Sequence, residues 1–180
     1  MAMKHDFPYL DAPQRCDLLR RITAPYADVD PDIIIIVSLI KSISRSFSAQ
    51  MALGLASHEL TEGKFYVLAY LLSEEIAGHP NPSPSEIASH LDVTRGTITG
   101  LLDGLERDGY LERCVDQTDR RALSIQITPK AREFLSTFLP ASGVSLTNSI
   151  CLTDAEKQIL AQTLGRIETC LRKRDAVEKE

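Results

Sequence analysis

No Cys-x-x-Cys pair occurs in this 180-residue chain: Cys16, Cys114, Cys151 and Cys170 are scattered, and the four histidines do not cluster near them. No zinc site is expected, and in a reducing compartment the cysteines are free thiols. Long apolar runs are missing too. The longest, Ile33 to Val37 extended by Leu39 and Ile40, is far short of the ~20 residues that cross a bilayer. The opening MAMKHDFPYLDAPQRCDLL has no apolar core of a secretory leader, so a cytoplasmic location without membrane contact is expected. There is no glycine-rich phosphate loop, no pair of carboxylates at a telling helical spacing, and no nucleophile motif beside His58 and Glu59. No catalytic residue, metal or cofactor is therefore assigned. A basic excess is also lacking. The net charge of −5 argues at first against a nucleic-acid binder, whose footprint is usually basic.

The distribution of charge softens that objection. From Asp28 to Val93 nine acidic residues face three basic ones, whereas Thr94 to Lys130 holds six of each. The acidity lies upstream of a neutral segment in which Arg95, Arg113, Arg120 and Arg121 are free to share one surface. A hydrophobic content of 43% and a charged content of 25% are those of an ordinary globular protein, long enough for a sizeable core.

What the sequence does contain is a series of helix starts. Cys16, Leu18, Leu19 and Ile22 predict a short amphipathic helix from Pro13 to Ile22, stopped before Pro25. Asp30 as N-cap and Pro31 as first residue open a helix to about Ala56. Its stripe of Ile33, Ile36, Val37, Ile40, Ile43 and Phe47 is too broad for a solitary surface helix. Thr61 opens another, through Phe65, Leu68, Ala69 and Leu72, ending near Gly78; HPNPSP then reads as a rigid loop. Past the central segment, Thr128 and Pro129 start a helix through Ala131, Phe134, Leu135 and Phe138, which Pro140 and Gly143 are expected to kink or interrupt. Thr153 and Glu156 form a capping box for a last helix carrying Ile159, Leu160, Leu164, Ile167 and Leu171.

The central segment, Ser83 to Thr128, organises the rest. Ser83, Pro84 and Glu86 make a capping box with Pro at the first helical position; Ile87, Ala88 and Leu91 face inward. Asp92 tolerates a left-handed turn and Val93 plugs the space before Thr94 caps a second helix. There Ile98, Leu101, Leu102 and Leu105 recur at three- and four-residue spacing, leaving Arg95, Thr97 and Thr99 on other faces. Short hydroxyl side chains let a backbone approach the major groove while Arg reaches a base edge or phosphate. Gly96 and Gly100 cost helix stability and point to close packing of something against that face. Gly109 ends the helix. LERCV and ALSIQI then alternate as strands, with Leu123, Ile125 and Ile127 inward, around the polar turn DQTDRR. Two arginines at such a tip are either a solvated turn or a wing whose Arg enters a narrow minor groove.

SEIASHLDVTRGTITGLLDGLERDGYLER followed by DQTDRRALSIQITPKAREFL resembles the MarR family of winged-helix transcriptional regulators. The resemblance implies a mainly α fold with a small two-stranded β wing, a winged helix-turn-helix beside a helical dimerisation platform. Residues 61–128 would form the reading head, and 1–60 with 129–180 the dimerisation region, intertwined as one domain. It implies that Arg121 is the minor-groove residue, braced by Asp119. It also implies a homodimer on a pseudo-palindromic operator, more often a repressor, released by a small aromatic or lipophilic effector held between platform and reading head.

The DNA-contacting set is accordingly Ser83, Ser85, Thr94, Arg95, Thr97, Thr99, Arg113, Asp119, Arg120 and Arg121, with double-stranded DNA as partner. Arg45, His58 and Tyr66 are candidate effector contacts. Some relatives of this kind sense oxidants through an N-terminal cysteine, and Cys16, with Arg15, Arg20 and Arg21 nearby in sequence, is the candidate here. The rival from another class is a winged helix that binds protein and no DNA.

Overall fold

The computed structural model describes residues 11–115 and 123–177. The chain divides into two compact units, Met1–Pro129 and Lys130–Glu180. The first holds five helices among its described residues, α1 (Ala12–Thr23), α2 (Pro31–Ala56), α3 (Glu62–Ala77), α4 (Pro84–His90) and α5 (Arg95–Arg107), followed by β1 (Leu111–Val115) and β2 (Leu123–Ile127). α6 (Pro129–Ser149) and α7 (Asp154–Val177) make the second.

Helix starts fall where side chains satisfy the orphan amides of a first turn. Asp30 accepts from the amides of Asp32 and Ile33, Thr61 from Lys64, and Thr94 from Thr97. Ser83 and Glu86 close a reciprocal box, the Ser83 amide donating to Glu86 Oε2 at 2.7 Å. Thr153 and Glu156 repeat it before α7. Ends are set by backbone sign. Gly78 adopts φ 71° after α3, and Gly109 adopts φ 76° after α5. At Gly109 the exit is a Schellman turn: the Tyr110 amide donates to the Leu105 carbonyl at 2.8 Å and the Gly109 amide to Glu106 at 3.0 Å. A Cβ at φ near 76° would be strained, which is why glycine stands there.

α3 is the spine of the first unit, packing on α2, α5 and β2. Its core residues are Phe65, Val67, Leu68 and Leu71, joined by Ile87 and Ala88 of α4 and Ile98, Leu102 and Leu105 of α5. Leu111, Ile125 and Ile127 close the layer from the hairpin. Each such aliphatic side chain contributes about 1.5 to 3 kcal/mol by leaving water, so this apolar layer holds the reading head in one shape. One ion pair crosses it: Lys64 Nζ of α3 meets Asp108 Oδ2 at 2.6 Å over the buried Gly104. A Cβ there would lie 3.0 Å from Lys64 Cε. Within the chain the tight approach to a glycine of α5 is at Gly104; a Cβ at Gly96 would meet only the Thr94 hydroxyl, at 3.8 Å, and nothing lies within 4 Å of one at Gly100.

β1 and β2 pair antiparallel, with Arg113 opposite Ile125 and Leu111 opposite Ile127. The segment before α4 is docked on this hairpin, since the Ile125 amide donates to the buried Pro82 carbonyl at 3.0 Å. In the second unit α6 continues through Pro140 and Gly143 without interruption. Pro140 and Ser136, whose carbonyl loses its helical donor, are both exposed, so water can serve that carbonyl. Ala131, Phe134, Leu135 and Phe138 are the buried positions of α6, the two Phe rings stacking at 5.2 Å. α7 has no buried residue among those described: Ile159 is 65% exposed and Leu171 59%. Of the predicted stripe of α2, Ile33, Ile36, Val37, Ile40 and Ile43 likewise face outward and Phe47 is half-buried, while Ile35 and Leu55 are buried.

Candidate nucleic-acid interface

α4, the turn at Asp92, and α5 form a helix-turn-helix. Asp92 takes φ 52°, the left-handed conformation that Asp and Asn adopt more readily than other side-chain-bearing residues. The Val93 amide closes the turn on the Ala88 carbonyl at 3.0 Å. α5 has one apolar side, Ile98, Leu102 and Leu105, and one bare side, on which Arg95, Gly96, Thr97, Thr99 and Gly100 are all exposed.

The sequence-predicted contact residues divide by what their polar atoms already do. Ser83 is half-buried and spent on its capping box, whereas Ser85, the second residue of α4, is exposed. Thr94 caps α5 and also shares a 2.9 Å hydrogen bond with the Thr97 hydroxyl. The Thr99 hydroxyl donates to the Arg95 carbonyl at 2.8 Å. These hydroxyls retain acceptor lone pairs, and they leave the helix face short and flat. Arg95 differs: it is exposed, and no carboxylate among the described residues pairs with it. A free guanidinium at the first turn, beside two residues without side chains, can reach a phosphate or the O6/N7 edge of guanine.

Arg113 stands elsewhere than the sequence suggested. The two-residue period of β1 puts it on the inward face with Leu111, and its guanidinium is held by α5. Nη2 donates to Asp103 Oδ1, and Nε lies 3.4 Å from Glu106 Oε2. The signal for this was present, since Asp103 and Glu106 are three apart on one helix face and Gly109 folds β1 back along that helix. Asp119, Arg120 and Arg121 lie outside the described residues.

Local electrostatics favour a fixed head. The Ser83 amide and hydroxyl hold the Glu86 carboxyl below the usual carboxylate range. The Lys64 ammonium does the same for Asp108, chiefly by its hydrogen bond. Burial raises the Tyr110 phenol, whose hydroxyl donates to the His58 carbonyl at 3.4 Å. Tyr70, whose phenol is raised by burial and then by Glu74 and Glu86, stacks on His90 with ring centres 3.9 Å apart.

Of the candidate effector contacts, Arg45 and His58 are exposed. Tyr66 donates to Glu62 Oε1 at 3.0 Å, an oxygen that Ser48 of α2 also reaches at 3.2 Å. Burial and this contact with Glu62 raise the Tyr66 phenol. Cys16 is half-buried on α1. The arginines near it are engaged, Arg20 with Asp32 at 2.7 Å, Arg21 with Asp17 at 3.8 Å, and Arg15 with the Ser42 hydroxyl at 3.2 Å. No helix among the described residues is long and apolar enough to cross a membrane.

Comparison with known proteins converges on one group. The model of the MarR family matches residues 60–122. The HTH-type transcriptional repressor YetL of Bacillus subtilis (strain 168) is 34% identical over 141 residues, covering 78% of this chain and 83% of that protein. Among solved structures, the transcriptional regulator SlyA superposes with a TM-score of 0.67 at 21% identity, covering 77% of this chain and 95% of that one. The MepR–DNA complex of S. aureus gives 0.65 at 22% identity, over 75% and 95%. These two establish likeness of fold.

Proposed function

The chain belongs to the MarR family, and from that premise we propose that it is a cytoplasmic, sequence-specific DNA-binding repressor acting as a homodimer. The observation that carries the reading is the face of α5, where the exposed Arg95, without an acidic partner among the described residues, stands with the exposed Gly96, Thr97 and Gly100, and only the Thr94 hydroxyl lies close to Gly96 and Thr97. α5 enters the major groove, Arg95 contacts phosphate or guanine, and Thr97 meets base edges. Ser85, exposed beside the capping box and not part of it, sits on the flanking phosphate backbone. The wing arginines Arg120 and Arg121, with Asp119 bracing the second, add minor-groove affinity.

Dimerisation is supported by apolar side chains that a single chain leaves in water. Ile33, Ile36, Val37, Ile40 and Ile43 of α2, and separately Ile159, Leu160, Leu164 and Leu171 of α7, are all exposed. A second copy related by a two-fold axis would cover them and present two α5 helices to a pseudo-palindromic site. A small lipophilic effector acts as inducer if it binds better to the spacing of heads that does not fit DNA. Arg45, His58 and Tyr66 are its candidate contacts. No specific observation favours the thiol reading of Cys16, which is half-buried on α1.

The test is binding to random duplex at low salt, together with sedimentation. A salt-dependent shift and a dimer at micromolar concentration are expected. Absence of any shift would favour the protein-scaffold rival.

A further inference from the structure

From the contacts at the base of the wing, we infer that Arg113 is a positioning residue: it bolts β1 to the recognition helix through Asp103 and Glu106 and does not spend its charge on DNA. The inference rests on the DNA-binding reading for its effect, but its geometry stands alone. Arg113 lies on the inward face of β1, directly across from the buried Ile125, and its side chain is only 30% exposed. Its planar guanidinium donates through Nη2 to Asp103 and lies in ion-pair range of Glu106, whose Oε2 is 3.4 Å from Nε without accepting a hydrogen bond from it. Those acidic groups sit one helical turn apart on α5, on the helix that enters the groove in the proposed complex.

Two consequences follow from this arrangement. The hairpin leaves α5 through the Schellman turn at Gly109 and seats Leu111, Ile125 and Ile127 in the core. Arg113, four residues past that turn, adds a direct tie from β1 to α5 itself and fixes the angle between strand and helix, so that the base of the hairpin and α5 meet DNA together without ordering on contact. In addition, the single positive charge of Arg113 offsets one of two negative charges that would otherwise face a polyanion. A lysine keeps the charge but not the planar fork, so it does not hold the two carboxylates in the fixed directions of Nη2 and Nε.

The experiment compares wild type, Arg113→Lys and the Asp103→Asn/Glu106→Gln double variant, each as the full-length protein, on the selected operator and on random duplex. The double variant removes two negative charges per chain, so electrostatics alone demand tighter binding to both DNAs. The clamp predicts opposite signs: tighter binding to random duplex, and operator binding weakened at least about fivefold, the lower end for one lost protein–DNA contact. Arg113→Lys is expected to lose operator affinity to a similar extent at unchanged net charge. A defect confined to folding would reduce binding to both DNAs in equal proportion, and would overturn the inference. So would tighter operator binding by the double variant, or a lysine variant equal to wild type. Hydrogen exchange of the β1 and β2 amides in the free protein gives an answer that needs no DNA: the double variant exchanges faster if the clamp holds, and unchanged exchange contradicts it. If wild type binds no DNA at all, the regulator reading fails while this second measurement still decides the clamp.

Discussion

Replacing Arg95 with Ala isolates the electrostatic part of recognition. Arg95 is exposed at the first turn of α5 and has no acidic partner among the described residues, so its removal breaks nothing in the free protein. In a two-fold complex it is lost twice. Each released phosphate contact contributes about 0.9 to the slope of log K against log salt, so the variant's slope should be shallower by about 1.8. Between 50 and 200 mM salt, a fourfold change, that difference amounts to about twelvefold in relative affinity. At fixed salt the loss per half-site is expected at about 1 to 3 kcal/mol. Fluorescence anisotropy of a labelled operator across a salt series measures both quantities. If Arg95 instead reads a guanine, the affinity loss stays, the slope changes little, and preference at one base relaxes. An Arg95→Ala protein with wild-type affinity, slope and sequence preference would refute the placement of α5 on DNA.

Charging the apolar stripe of α7 with Leu160→Glu and Leu164→Glu, both exposed in the single chain, is expected to yield a folded monomer by sedimentation; a dimer of wild-type affinity would remove α7 from the interface. Acid stability should report Asp108, whose folded pKa lies below its ordinary value because Lys64 donates to it. That contribution is complete above the unfolded value of about 3.9 and is lost as pH falls through the lower folded value. Denaturation curves from pH 6 downward should therefore be less acid-sensitive in Asp108→Asn, and identical pH dependence would contradict the pairing. Arg121→Ala is expected to weaken operator binding by about 1 to 3 kcal/mol without changing folding or dimerisation, Asp119→Ala to do so more mildly, and Thr97→Ala to change which sequence is preferred. Unaltered binding by Arg121→Ala in a mobility shift would make the wing only a turn.

Local chemistry made much of the fold legible. Asp30, Thr61, Ser83, Thr94 and Thr153 each cap the helix they were expected to start, because a cap needs only a side chain and the next three amides. The left-handed turn at Asp92 and the glycine exit at Gly109 have the same local origin. Tertiary pairings were not legible. Lys64 and Asp108 are separated by 44 positions, and Pro82 meets Ile125 only because the loop before α4 folds onto the hairpin. Val67 and Leu71 were missed as core because α3 is buried on several sides, which blurs a one-face pattern. At Pro140 the interruption that was one of two expected outcomes is absent, because an exposed helix tolerates a proline where water can take the freed carbonyl. Within the site, the exposed identity of Arg95, Thr97 and Thr99 was readable from the apolar period of α5. The fate of Arg113 required the strand's inward face and the helix's acidic pair to be considered together.

Selection of bound duplexes from a random pool by the wild-type protein tests the central claim most directly. The account predicts enrichment of a pseudo-palindrome whose half-site centres lie about 10 base pairs apart, one turn of DNA, with A·T-rich flanks where the wings reach the minor groove. Enrichment of no sequence above the starting pool, under conditions where the protein is a folded dimer, would contradict it.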